Sequence, residues 1–181
     1  MIQFISLVSD WYPISSTGKK IKELIRASEV EERYWYGGGY QTQQLRMIIS
    51  ERYKDMECTV ESEVALMGFT HRDTAKIFEE NEILEKIEIE LRKQGLRSCV
   101  VPDLFAFVGH HREKIIEALI GHGGRTSRIL LLEKDKGEEE FISLTFDDEQ
   151  FNPLCLESID LSEELSDEHD VCHDIFILVK R

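Results

Sequence analysis

Apolar residues fall into short clusters separated by polar breaks, and their spacing predicts the elements of the fold. Ile2 to Val8, with Phe4, Ile5, Leu7 and Val8, has the pattern of a buried strand. A loop over Ser9 to Thr17, containing Pro13, follows it. Ile21, Leu24 and Ile25 recur at helical spacing and predict a helix from about Gly18 to Glu32. The run Tyr34 to Tyr40 breaks it, because Gly37, Gly38 and Gly39 are costly inside a helix. A second helix fits Gln41 to Tyr53, with Leu45, Ile48 and Ile49 on one face, and Cys58 to Phe69 alternates weakly, as a strand would.

Thr70 to Asp73 has the form of a helix-capping box with Asp in place of the usual Glu. Ile77, Leu84, Ile87 and Leu91 then mark one helical face, and Gly95 supplies the stop. Ser98 to Val101 reads as a short strand and His110 to Ile120 as a helix, with Ile115, Ile116, Leu119 and Ile120 inward and Gly121 as its stop. Ile129 to Leu132 lacks alternation, which predicts a central strand covered on both faces. Lys134 to Gly137 resembles a hairpin turn into a strand over Phe141 to Phe146, with Ile142, Leu144 and Phe146 facing one way. An acidic segment of weak periodicity follows, and Ile175 to Val179 forms a last strand.

Strands alternating with helices through residue 132 predict an α/β fold with a mainly parallel central sheet flanked by helices, becoming antiparallel over the acidic C-terminal portion. Ile2 to Val8, Ser98 to Val101 and Ile129 to Leu132 are expected to share that sheet. The 181 residues suit a single domain, 1–181, in which 137–179 is an acidic portion.

Charge changes this picture more than composition does. The hydrophobic fraction of 41% and charged fraction of 32% are those of a globular protein, which excludes wholesale disorder. Gly137 to Val179 carries fourteen acids and no Lys or Arg; the other 22 acids match the chain's 22 bases. The net charge of −14 therefore belongs to the C-terminal quarter, which disfavours direct nucleic-acid binding there. No apolar run approaches the roughly 20 residues that cross a bilayer, so no membrane role is expected. The four cysteines are scattered without a Cys-x-x-Cys pair, and Cys99 lies in an apolar run suited to a reduced, buried thiol; a cytoplasmic location is expected.

Candidate chemistry begins with Ser15-Ser16-Thr17-Gly18-Lys19-Lys20, between the first strand and its helix. A phosphate loop needs backbone amides at a helix start and a lysine placed to reach the phosphates, which Thr17, Gly18 and Lys19 supply. Pro13 stands at the first glycine of the full pattern, and Lys20 replaces the hydroxyl that holds Mg²⁺. Further on, Cys99-Val100-Val101-Pro102-Asp103 precedes the His110 helix, the pair Gly123-Gly124 and the Ile129 strand. Over Gly95 to Glu133, with the N-terminal loop, the chain resembles the P-loop deoxynucleoside monophosphate kinases. That resemblance implies a nucleotide with Mg²⁺, Lys19 for the phosphates, Asp103 near the metal, and Arg125 or Arg128 as charge stabilisers. Phe105 stands where that family has an arginine, and no arginine-rich lid segment follows Glu133. Kinase-like phosphotransferase and pseudoenzyme are both open, as is a plain turn role for Asp103 after Pro102. No catalytic residue is assigned.

A second function reading needs no catalytic residues. An acidic quarter on a compact fold suits an inhibitor or immunity-type module that occupies the basic surface of a protein partner. Asp147, Asp148 and Glu149 beside Phe151 and Leu154 would be its contact patch. His110 and His111 open a predicted helix, either as plain exposed helix-start residues or, since the dipole there disfavours protonation, as groups suited to acid–base work. Trp11-Tyr12 and the Tyr34 to Tyr40 cluster fit either core packing or a stacking platform. His169, Cys172, His173 and Asp174 match no standard zinc spacing, and no metal site is assigned.

Overall fold

A computed structural model describes residues 5–16, 18–32, 45–58, 61–68, 83–121, 126–134, 140–147, 154–160 and 174–181. Within them lie strands β1 (Ile5–Leu7), β2 (Tyr12–Ser15), β3 (Lys19–Lys20), β4 (Glu31–Glu32), β5 (Glu57–Cys58), β6 (Glu61–Gly68), β7 (Arg97–Ser98), β8 (Thr126–Lys134), β9 (Glu140–Asp147), β10 (Leu154–Asp160) and β11 (Asp174–Lys180). Four helices accompany them: α1 (Ile21–Ser28), α2 (Leu45–Arg52), α3 (Ile83–Lys93) and α4 (Val101–Gly121).

Nine of the described strands form one sheet in the order β1-β6-β11-β8-β9-β10-β4, with β2 also on β6 and β7 also on β11. The expected sharing of one sheet by the Ile5, Ser98 and Ile129 segments is observed. The expected mainly parallel sheet is not. Only β11–β8 and β10–β4 pair in parallel among the described strands; β1–β6, β2–β6, β6–β11, β7–β11, β8–β9 and β9–β10 are antiparallel. The cause is connectivity. β8, β9 and β10 run as a meander, and β11 returns to the far side of β8, so alternation of helix and strand in sequence does not become parallel neighbours in space.

The strand pattern divides two faces. Val64 and Leu66 of β6, Ile129 and Leu131 of β8, Ile142, Leu144 and Phe146 of β9, Leu154 and Leu156 of β10, and Phe176 and Leu178 of β11 enter one core with α1 and α4. Ala65, Met67, Leu130, Ile177 and Val179 are equally buried on the opposite face. Ile129 to Leu131 are therefore covered on both sides, as their lack of alternation predicts. Gly68 lies in a narrow gap: a Cβ there would meet Val8 Cγ1 at 3.0 Å and the Phe176 ring at 3.3 Å.

Local signals explain some boundaries and mislead at others. Gly95, with φ +74°, ends α3 as expected. Leu96 N–H donates to Leu91 O and Gly95 N–H to Arg92 O, the paired bonds of a glycine C-cap. Pro13 belongs to β2 instead of a loop, tolerated because β2 is an edge segment where its missing N–H leaves no ladder gap. Ser9 bridges the break between β1 and β2, its hydroxyl accepting the Leu66 N–H at 2.8 Å. Leu154 to Asp160 forms β10, hidden in sequence because Glu157 and Asp160 interrupt its apolar alternation. Ser98 to Val101 is strand only at Arg97–Ser98, after which α4 begins. A short apolar run does not distinguish strand from buried helix, and Pro102 is well placed in a first helical turn.

α4 is the central helix. All eight residues from Val101 to Val108 are buried, Asp103 among them, so this half is covered on every side, whereas the second half buries only Ile115 and Leu119, with Ile116 and Ala118 partly buried against the core. Ile120, expected inward, is 55% exposed. The halves meet at His111, whose φ −134° and ψ 28° depart from helical values and kink the axis.

Candidate functional site

The two halves of α4 carry polar groups of opposite kinds. At its start, Asp103 accepts the Val100 N–H at 2.9 Å, a bond from the third helical residue to the residue before the helix. The same Oδ2 accepts Lys180 Nζ at 2.5 Å from the end of β11. The Asp103 side chain is 3% exposed and that of Lys180 25%. Cys99 lies beside them, its backbone N–H on Leu178 O. Burial, then the Asp103 charge, push its thiol well above the usual cysteine range, against a smaller opposing effect of Lys180. Cys99 is thus a protonated core thiol, and Cys99 and Cys155 are both free cysteines. Asp103 fits a Mg²⁺ ligand poorly, because its carboxylate is buried and already holds an ammonium and a backbone amide.

The kink brings a different group together. His111 donates from Nε2 to the Pro13 carbonyl at 2.7 Å, fixing α4 to the edge strand β2. Its ring packs 5.1 Å from Tyr12 and 6.0 Å from Phe107, centroid to centroid. His110, exposed, meets the His111 ring edge-on at 6.2 Å. Burial, then Lys19, then His111 lower its pKa below the ordinary histidine value. The sequence expected such lowering from a helix N-terminus; the histidines instead sit at a mid-helix kink, and Lys19 is one of the causes.

Lys19 reaches this place through a compact turn. β2 ends at Ser15, the Lys19 N–H donates to Ser16 O at 3.3 Å, and Gly18 takes φ +74°, a left-handed conformation that suits glycine. Lys19 and Lys20 then pair with Cys58 and Glu57 as β3–β5 before α1 starts at Ile21. Glu23 accepts the Lys20 N–H at 2.7 Å and so stabilises the start of α1. At the other end of α1, Arg112 donates to Ser28 O at 3.0 Å, which binds α1 to the kinked part of α4. Ser16, 1% exposed, and the neighbouring Ser62 carry buried hydroxyls with no hydrogen-bond partner.

The residues expected to act together are thereby separated. Lys19 stands near His110, seven residues beyond Asp103 in α4, which is about 10 Å along the helix axis. Arg128 is 6% exposed within β8, opposite Thr145, far from a solvent-facing charge role. Asp147 closes β9 opposite Thr126. Thr17, Arg125, Asp148, Glu149 and Phe151 lie outside the described residues, as do the Thr70 capping box, the Tyr34 to Tyr40 cluster and the His169 to His173 segment. Trp11 packs beneath Arg181, whose guanidinium carbon lies 4.6 Å from the ring centroid and whose side chain pairs with Glu63. Among the described residues, no helix is long and apolar enough to cross a membrane, and no three acidic, histidine or cysteine side chains are grouped to hold a metal.

Sequence reasoning missed Ser62 and the partnership of Lys19 with His110. Their only sequence signals, a serine in an alternating strand and a histidine pair, do not specify a meeting across ninety residues of chain. Comparisons with protein families, with curated proteins and with solved structures find no match to this chain.

Proposed function

We propose that this is a nucleotide- or phosphate-binding α/β protein whose anion site is the corner formed by Lys19 and His110. The observation that carries the reading is the Gly18 turn, at φ +74°, which presents an exposed Lys19 just before α1, with Lys19 also acting on His110. An ammonium next to an imidazole held neutral leaves one fixed positive charge and one group able to gain a second when an anion arrives. Phosphate oxygens complement that pair. The buried Asp103–Lys180 pair supplies no metal contact, so binding here does not depend on the acid that the kinase resemblance assigns to Mg²⁺. A thermal-shift screen with ATP and nucleoside monophosphates, with and without Mg²⁺, tests the reading. Ligand at a hundred times its dissociation constant stabilises by about 2.7 kcal/mol, and Lys19→Ala abolishes the shift. A shift that survives Lys19→Ala overturns it.

One specific observation favours a second reading, an acidic module that binds a basic protein. Gly137 to Val179 holds fourteen acids and no Lys or Arg, and β9 and β10 of that quarter pair with each other, so its charge is not neutralised from within. A basic partner that contacts Asp147, Asp148 and Phe151 would supply the positive charge this quarter lacks. Association would then slow with added salt, and Asp147→Lys with Asp148→Lys would lower the on-rate more than Glu31→Lys with Glu32→Lys. Equal effects of the two pairs count against it.

A further inference from the structure

We infer that His111 and Pro13 seal the outer edge of β2, and that without them a second copy of this chain would pair there. Among the described strands β2 is bonded only to β6, and its register fixes which groups face outward. The Arg181 N–H donates to Glu63 O at 3.2 Å, so Glu63 turns its carbonyl toward the end of β11 and away from β2. Pro13, opposite Glu63, therefore sits at a non-hydrogen-bonded position of the β2–β6 ladder, with its own main-chain groups directed away from β6. Ser15, two residues on, faces the same way, and both residues are exposed.

Outward main-chain groups on a sheet edge are a template for another strand, and charged side chains are a common protection. Tyr12, Pro13, Ile14 and Ser15 carry no charge. Two other devices stand at the middle of this edge. Pro13 has no N–H to give. Its carbonyl is taken by His111 Nε2 at 2.7 Å, a contact that also sets an imidazole ring in the path of an incoming strand. The ring is itself held, packed 5.1 Å from Tyr12 and 6.0 Å from Phe107, and the next residue, Arg112, ties the helix to Ser28 O. An incoming strand thus loses both the donor and the acceptor at residue 13. The occupant excluded is a second copy, because a neutral strand meets its twin without repulsion and two such edges pair antiparallel about a twofold axis. A strongly charged segment finds no opposite charge on this strand.

Sedimentation velocity on the full chain, with backbone hydrogen exchange, tests the inference. The unaltered chain is expected to stay monomeric as its concentration rises. Pro13→Val with His111→Phe restores the donor, frees the acceptor and keeps a ring against Tyr12 and Phe107. That variant is expected to dimerise, with exchange at the Ser15 amide slowed about tenfold in the dimer. Pro13→Val with His111→Gln, whose amide can still donate to the residue-13 carbonyl, should dimerise less. A folded Phe variant that remains monomeric overturns the inference, and so does a dimer in which Ser15 exchange is unchanged. Dimerisation of the unaltered chain with Ser15 protected overturns it as well. If the Phe variant loses its fold by circular dichroism, Pro13→Ala with His111→Leu is read in its place by the same two measurements, and a monomer again overturns the inference. Lys19 is untouched throughout, so these outcomes leave the phosphate reading to its own test.

Discussion

The two halves of α4 contrast a closed electrostatic site with an open one. In the first, Asp103, Lys180 and the Val100 amide satisfy one another, and the surrounding helix is buried on every side. In the second, His110 is exposed, and Lys19, also exposed, is one cause of its lowered pKa. Ionisable residues thus occur in both halves, but the pair in the first is buried and satisfied, whereas His110 in the second is exposed. A buried, fully paired acid is evidence about architecture, whereas an exposed group whose charged form its neighbours disfavour is evidence of something to bind.

Core truncation should break the contrast most strongly. Phe107→Ala removes a fully buried ring and is expected to cost about 4 kcal/mol in urea unfolding. Ile120→Ala, in the exposed half of the same helix, should cost less than about 0.5 kcal/mol. Similar losses would mean that the halves are equally embedded.

The closed pair comes next. Lys180→Met strands the buried Asp103 carboxylate and is expected to cost about 3 kcal/mol. Asp103→Asn keeps a hydrogen-bond acceptor for the Val100 amide and leaves Lys180 able to reach water, so it should cost less, about 2 kcal/mol. A reversed order would show that the ammonium, and not the carboxylate, carries the desolvation cost.

The smallest effect sharpens the open side. The folded-state pKa of His110 is lowered from its ordinary 6.5, so the unfolded chain binds more protons between the folded value and 6.5. Its contribution to stability is therefore complete above 6.5 and is lost as pH falls through that window. His110→Gln should flatten this part of the stability–pH curve measured by urea midpoints. Lys19→Gln should flatten it only partly, because burial is the larger cause and Lys19 the second. An unchanged slope in His110→Gln would remove the electrostatic account of the corner.

Much of the fold was legible in local chemistry. The Gly95 stop, the two-faced burial of Ile129 to Leu131 and the inward set Ile142, Leu144 and Phe146 all follow from short-range pattern, since backbone conformation and side-chain alternation are decided by near neighbours. The candidate site was legible only in part. Lys19 stood out through its glycine and its place before a helix, and the histidine pair stood out by composition. Asp103 stood out too, and its pattern of strand, acid and helix is equally that of an acid capping a buried helix, the place its bonds to Val100 and Lys180 give it.

The sequence by itself determined where apolar faces lie, where helices stop and where the charge is concentrated, because each depends on residues adjacent along the chain. Tertiary structure decided the rest. Strand order placed β11 between β6 and β8 and made the sheet mostly antiparallel, a consequence of long-range pairing that alternation does not encode. Packing gave Asp103 to Lys180, 77 residues away, and closed that site. The bend at His111, held by the Pro13 carbonyl 98 residues away, put His110 within the electrostatic reach of Lys19, because only the folded chain brings a helix kink against an edge strand.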